Sequence, residues 1–98
     1  MVQHVVLLSF PGGISDIQRD RVQELLAPFS QGIPGLARFH WGWDQSGRSR
    51  EYQLALVMTF TDADSLAAYH PHPVHQIFAQ WVAAEGAQVL AFDFPITE

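Results

Sequence analysis

Two residue types with versatile side-chain chemistry are missing from this chain, which contains no cysteine and no lysine. The first absence excludes disulfides, thiol nucleophiles and thiolate metal sites. The second removes Schiff-base chemistry and a lysine general base. Basic charge is scarce as well: five arginines stand against ten carboxylates, a formal net charge of -5 with histidine neutral. Such a surface repels a phosphate backbone or an anionic membrane, so neither nucleic acid nor membrane is an expected partner. No apolar run approaches the about 20 residues of a spanning helix, and Met1 leads to His4 without a basic leader; a cytoplasmic location is expected. No Gly-x-Ser-x-Gly elbow occurs, and Gly12-Gly13, without further glycines or basic residues, is a turn and not a phosphate cradle.

What remains for proton transfer is His, Tyr, Asp and Glu, of which only histidine titrates near neutrality when unperturbed. The chain has five histidines. Three of them, His70, His72 and His75, fall in the stretch AAYHPHPVHQIF from Ala67 to Phe78, interleaved with Pro71 and Pro73.

Ninety-eight residues, 48% of them apolar, fit one globular domain over 1–98. Val2 to Phe10 is rich in β-branched and large apolar residues and stops at Pro11-Gly12-Gly13, the pattern of a strand. Ser15 with Gln18 three residues on forms a capping-box signature. Val22, Leu25, Leu26 and Phe29 then recur at helical spacing, predicting one helix of about four turns. Leu36 to Asp44 and Tyr52 to Phe60 are two further strands, joined by the polar loop from Gln45 to Glu51. Asp62 caps a short helix carrying Leu66 and Tyr69. Pro71 and Pro73 disfavour helical geometry at His70 and His72, so the chain turns there. Pro73 suits the first position of a new helix with His72 at its N-cap, and Val74, Ile77, Phe78, Trp81 and Val82 supply its apolar stripe up to Gly86. Gln88 to Phe94 is the last strand.

The resulting order is β-α-β-β-α-β, an α+β, ferredoxin-like arrangement with an antiparallel sheet and helices on one face. Strand residues alternate between faces, and here both faces are apolar: Val5 and Leu7 oppose Val6 and Leu8, and Val89 and Ala91 oppose Leu90 and Phe92. Two helices cover only one face. The other calls for a second sheet, most simply from an identical subunit, so a homodimer packed through its sheet faces is expected.

The histidine cluster admits three readings. His-x-His spacing is compatible with a metal, but no carboxylate follows Asp64 closely and no His-Glu-x-x-His pattern occurs, so no metal site is assigned. A structural reading has His72 capping the helix and His70 merely exposed. A chemical reading centres on His75, which falls beside Val82 at the edge of the buried stripe. There the positive helix end favours a neutral imidazole able to act as a base. His4 shares a strand face with Val2, Val6, Leu8 and Phe10, an apolar set in which a polar ring needs a reason. If that face is the helix-covered one, His4, Tyr69 and His75 approach one another across a sheet–helix cleft. His40, beside Trp41 and Trp43, is assigned to packing rather than to a stacking platform.

Taken together, HVVLLSF from His4, PGLARFHWGWD from Pro34 to Asp44, YQLALVMTF from Tyr52 to Phe60, and Tyr69-x-x-His72-Pro73-x-His75 resemble the stress-responsive dimeric α/β-barrel (Dabb) domain family. The resemblance spans nearly the whole chain. It implies a ferredoxin-like subunit that dimerises through its sheets into a dimeric α/β-barrel. One polyketide-cyclase branch of the family performs aldol chemistry without metal or cofactor. It uses a first-strand histidine, a tyrosine and the second histidine of His-Pro-x-His. Matched residue by residue, these fall on His4, Tyr69 and His75, with His72 and Pro73 as the structural part of the motif. A further tyrosine of that branch's pocket falls near Leu26, which implies a different pocket. The functional classes are therefore a cofactor-independent cyclase or lyase acting on a small carbonyl compound, and a non-catalytic stress-response domain that binds a hydrophobic ligand or confers stability. A cofactorless monooxygenase shares the architecture as a third class.

Overall fold

In the computed structural model, residues 1–97 are described; Glu98, the last residue of the expected domain, lies outside the described residues. The chain runs β1 (Val2–Ser9), α1 (Asp16–Leu26), α2 (Phe29–Gly32), β2 (Leu36–Trp43), β3 (Leu54–Phe60), α3 (Ala63–Tyr69), α4 (Pro73–Ala84) and β4 (Gln88–Pro95). The four strands form one sheet in the order β2-β3-β1-β4. Every neighbouring pair is antiparallel, so the ferredoxin-like expectation holds.

Local signals explain most boundaries. At α1 the Ser15 hydroxyl accepts from the Gln18 amide at 3.1 Å while the Gln18 side chain accepts from the Ser15 amide at 2.9 Å, a reciprocal cap that satisfies two otherwise orphaned donors. The expected four-turn helix, however, stops at Leu26 and resumes as the short α2. Pro28 is the cause: it has no amide hydrogen to bond the Glu24 carbonyl, and its ring collides with that carbonyl in a continuous helix. Ile77 also departs from expectation, being 56% exposed. At about 100° per residue it lies on the rim of the arc centred on Phe78, outside the stripe formed by Val74, Phe78, Trp81 and Val82. Gly35 joins α2 to β2 at φ +79°, and a Cβ there would sit 2.3 Å from the Ser65 hydroxyl oxygen. Both the left-handed backbone and the close approach of α3 therefore require glycine.

The core lies between one sheet face and the helices. Val6, Leu8, Leu54, Leu56, Met58 and Phe60 pack from the sheet against Val22, Leu26, Phe29, Phe78 and Val82. His4 shares this face and is only 3% exposed. The opposite face has no cover in the single chain. There Val5, Leu7 and Val57 are half-buried, and Leu90, Phe92 and Phe94 of β4 are 48%, 67% and 42% exposed. Apolar surface this continuous marks an association site. Among the described residues no helix is long and apolar enough to cross a membrane.

Candidate active site

Two prolines place the first half of the site. Pro71 and Pro73 end α3 and start α4 within three residues, with Pro73 at the first helical position and His72 at the N-cap. The His72 Nδ1 accepts from the Val74 amide at 3.2 Å, which commits this nitrogen to holding the helix end. His75 stands one turn in. Its Nδ1 lies 2.8 Å from the backbone carbonyl oxygen of His70. A carbonyl can only accept, so Nδ1 carries the hydrogen and Nε2 keeps its lone pair. The Gln76 side-chain amide donates to the same carbonyl at 2.6 Å, pinning the turn.

Tyr69, the last residue of α3, turns inward between Phe29 and Phe60, with ring centroids 6.2 and 5.3 Å away. It is 3% exposed, and burial pushes its hydroxyl well above the usual phenol range. Its ring lies 4.4 Å from that of His75 and 5.9 Å from that of His4. Burial in turn lowers the His75 pKa below 6.5; its bond to the His70 carbonyl opposes this, while the nearby imidazoles of His70 and His4 reinforce it. A buried phenol that keeps its proton thus faces a half-buried imidazole that sheds one.

The second half comes from the sheet. His4 is opposite Asp93 in the β1–β4 register, and its Nδ1 donates to the Asp93 carboxylate. The carboxylate holds the ring in place and leaves Nε2 as the uncommitted nitrogen.

These groups close one end of a cavity of about 330 Å3 between the sheet and α4. Its walls are apolar, with Val6, Leu8 and Leu56 from the sheet and Phe78 and Val82 from α4. Space remains because α4 turns Ala79 and Ala83 toward it, while Ala87 and Ala91 line the β4 side. Alanine at these four positions leaves unfilled the volume that longer side chains would take. Among the described residues no arginine or carboxylate lines the cavity. A neutral polar head with an apolar body fits such a lining. No three His, Cys, Asp or Glu side chains among the described residues converge on a position that could hold a metal ion. A second hollow, of about 320 Å3 over His40, Gly42 and Ala55, lies on the open sheet face, and none of His4, Tyr69 and His75 lines it.

The structure thus brings His4, Tyr69 and His75 together at one cavity, with His72 and Pro73 beneath them as helix cap and helix start. Two participants escaped the sequence reading. Asp93 is a carboxylate inside the otherwise apolar run Val89 to Phe94, a signal visible in the sequence but without a partner until the strands are paired. His70, read as merely exposed, is exposed but lines the cavity beside His4, Tyr69 and His75.

Comparison with known proteins agrees with this architecture. The chain matches the family model for the stress responsive A/B barrel domain over residues 2–96. It is 31% identical to stress-response A/B barrel domain-containing protein HS1 of Arabidopsis thaliana, over 98% of this chain and 90% of that protein. It is 24% identical to olivetolic acid cyclase of Cannabis sativa, over 95% of this chain and 94% of that enzyme. Among solved structures, a dimeric ferredoxin-like protein of unknown function from Thermobifida fusca superposes with a TM-score of 0.84 at 24% identity, covering 97% of this chain and 90% of that one.

Proposed function

The chain belongs to the stress-responsive A/B barrel domain family, and from that premise we propose that it is a cofactor-independent acid–base enzyme of cyclase or lyase type. Its substrate is a small, partly apolar carbonyl compound, and it works as a homodimer joined through the open sheet faces. The observation that carries the reading is His75: a neutral imidazole, fixed with Nε2 bare, its ring tilted against that of a protonated tyrosine at the polar end of an apolar cavity.

The chemistry follows from the donors and acceptors. His75 Nε2 takes a proton from the carbon beside a carbonyl, and the C–H electron pair flows into that carbonyl to give an enolate. The Tyr69 hydroxyl, which keeps its proton because burial disfavours the phenolate, donates to the developing oxyanion. His4, held by Asp93, positions the carbonyl oxygen or a water at the same end. The enolate carbon then bonds to a second carbonyl carbon, whose π pair moves to its oxygen and takes the proton from His75 Nε2, closing a ring; the reverse flow breaks such a bond. Apolar walls exclude water and strengthen each contact. The alignment with olivetolic acid cyclase along most of both chains supports this class.

Dimerisation covers Val5, Leu7, Val57, Leu90 and Phe92, which otherwise face water. The dimeric Thermobifida fusca relative supports that assembly.

The test is hydrogen–deuterium exchange at the α-carbon of simple ketones such as phenylacetone, followed by NMR in deuterated water. Exchange that disappears in a folded His75→Ala variant is the expected result. Saturable binding of the ketones with no exchange by the wild type would leave a hydrophobic-ligand-binding domain instead.

A further inference from the structure

His70 has no part in the chemistry above, yet its ring lies among all three groups that do. Its centroid is 5.9 Å from that of His4, 5.6 Å from Tyr69 and 5.7 Å from His75. It lines the same cavity but is exposed to solvent. We infer that His70 is the relay through which His75 exchanges its proton with bulk water. The inference builds on the reading of His75 as the base and adds the route by which that base is reset.

A proton taken up at His75 Nε2 must be exchanged with water before solvent hydrogen can reach the α-carbon, and the neighbours differ in their ability to pass it. Tyr69, on α3 and 3% exposed, already holds its own proton. His4, on β1, is 3% exposed and has Nδ1 committed to Asp93 of β4. The His72 Nδ1 is committed to the Val74 amide. Among the described residues, the His70 imidazole is the one histidine ring of this cluster that makes no hydrogen bond; its backbone carbonyl serves His75 and Gln76 in its place. Both nitrogens of that ring are therefore open, on a side chain that lines the cavity and is also exposed to solvent.

The separation suits the task. Rings 5.7 Å apart are within the span of one bridging water. The N–H bond at His75 Nε2 breaks, its electron pair stays on nitrogen, and the proton passes through the water to a His70 nitrogen. His70 then releases a proton from its other nitrogen to bulk solvent. Charge moves from a half-buried ring to a hydrated one, the direction that solvation favours. The same backbone carbonyl of His70 holds His75 in the receiving tautomer, so a change confined to the His70 side chain leaves the base in place.

The decisive experiment needs no substrate. In protein with isotope-labelled histidine, NMR measures the rate at which the His75 ring hydrogens exchange with water through the pH range in which His75 titrates. His70→Phe keeps an aromatic ring against Tyr69 and retains the backbone carbonyl, and its folding is verified by circular dichroism. The expected result is exchange slower by at least about tenfold, with added imidazole buffer restoring the rate in the variant and leaving the wild type unchanged. An unaltered exchange rate in folded His70→Phe, or slow exchange that imidazole does not restore, overturns the relay. Ketone exchange by the wild type separates the two ideas. Slowed His75 exchange in a protein without turnover would uphold the relay and reject the catalytic reading, and turnover with unaltered His75 exchange would do the reverse.

Discussion

The Nδ1 of His75 donates to the backbone carbonyl of His70 across 2.8 Å, so the turn that joins two helices also sets the tautomer of the ring beside it. With Nδ1 occupied, Nε2 alone is free to take a proton, and Tyr69 lies against the same ring at 4.4 Å between centroids. The pair assigns opposite proton habits to two neighbouring groups: burial holds the phenol protonated and the imidazole neutral.

The pH dependence follows with a definite sign. A general base must be neutral, and the His75 pKa lies below 6.5 because burial disfavours its cation. The acid limb of the rate profile is therefore expected to inflect below pH 6.5, the unperturbed value. Stability moves the same way. The unfolded chain binds the proton more readily, so the contribution of this group is complete above 6.5 and declines as pH falls through the folded-state pKa. Histidine NMR titration of the wild type checks both, and an inflection above 6.5 would contradict them.

Removing the Tyr69 hydroxyl separates packing from chemistry. The ring is held by Phe29, Phe60 and His75, and Tyr69 lines the cavity. Tyr69→Phe is expected to change stability by less than about 1 kcal/mol while slowing ketone exchange by about a hundredfold. Thermal denaturation beside the exchange assay measures the two effects. A large loss of stability would show that the hydroxyl is structural.

Asp93→Ala tests the pair across β1 and β4. His4 is buried and loses its carboxylate partner, but the Asp93 side chain is 45% exposed, so water takes its place. The expected destabilisation is about 1 kcal/mol, read from the midpoint of urea unfolding. Turnover should fall more than stability does, because His4 is then free to rotate away from the cavity. Equal turnover in variant and wild type would remove His4 from the mechanism.

Phe92 tests the assembly. It is 67% exposed on the open face of the single chain, where an arginine would cost little. In a dimer joined through that face, Phe92→Arg places an unpaired charge between two sheets, a substitution worth several kcal/mol. Sedimentation equilibrium at micromolar concentration is expected to give a dimer for the wild type and a monomer for the variant. A monomeric wild type would refute the sheet-face dimer.

Much of this architecture was legible along the chain because it depends on local pattern. Alternation in Val2–Ser9, the Ser15–Gln18 cap and Pro73 at a helix start each act within a few residues, and strand alternation by itself marks two apolar faces. Local pattern misled where two local rules compete, as at Pro28, where helical spacing continues but the backbone cannot. The candidate trio His4, Tyr69 and His75 was nameable from residue types and family resemblance. Their convergence was not, because it depends on elements far apart in sequence. Only the antiparallel pairing of β1 with β4 sets His4 against Asp93, 89 residues away. Only the seating of α4 over the sheet turns scattered alanines at 79, 83, 87 and 91 into one open volume. Periodicity says which side of an element is buried, whereas the rotation and spacing of elements against one another decide what that side meets. By itself the sequence determined the elements, their order and the two apolar faces, whereas tertiary packing decided that one face is filled, that the other stays open, and that four titratable rings share the end of a cavity.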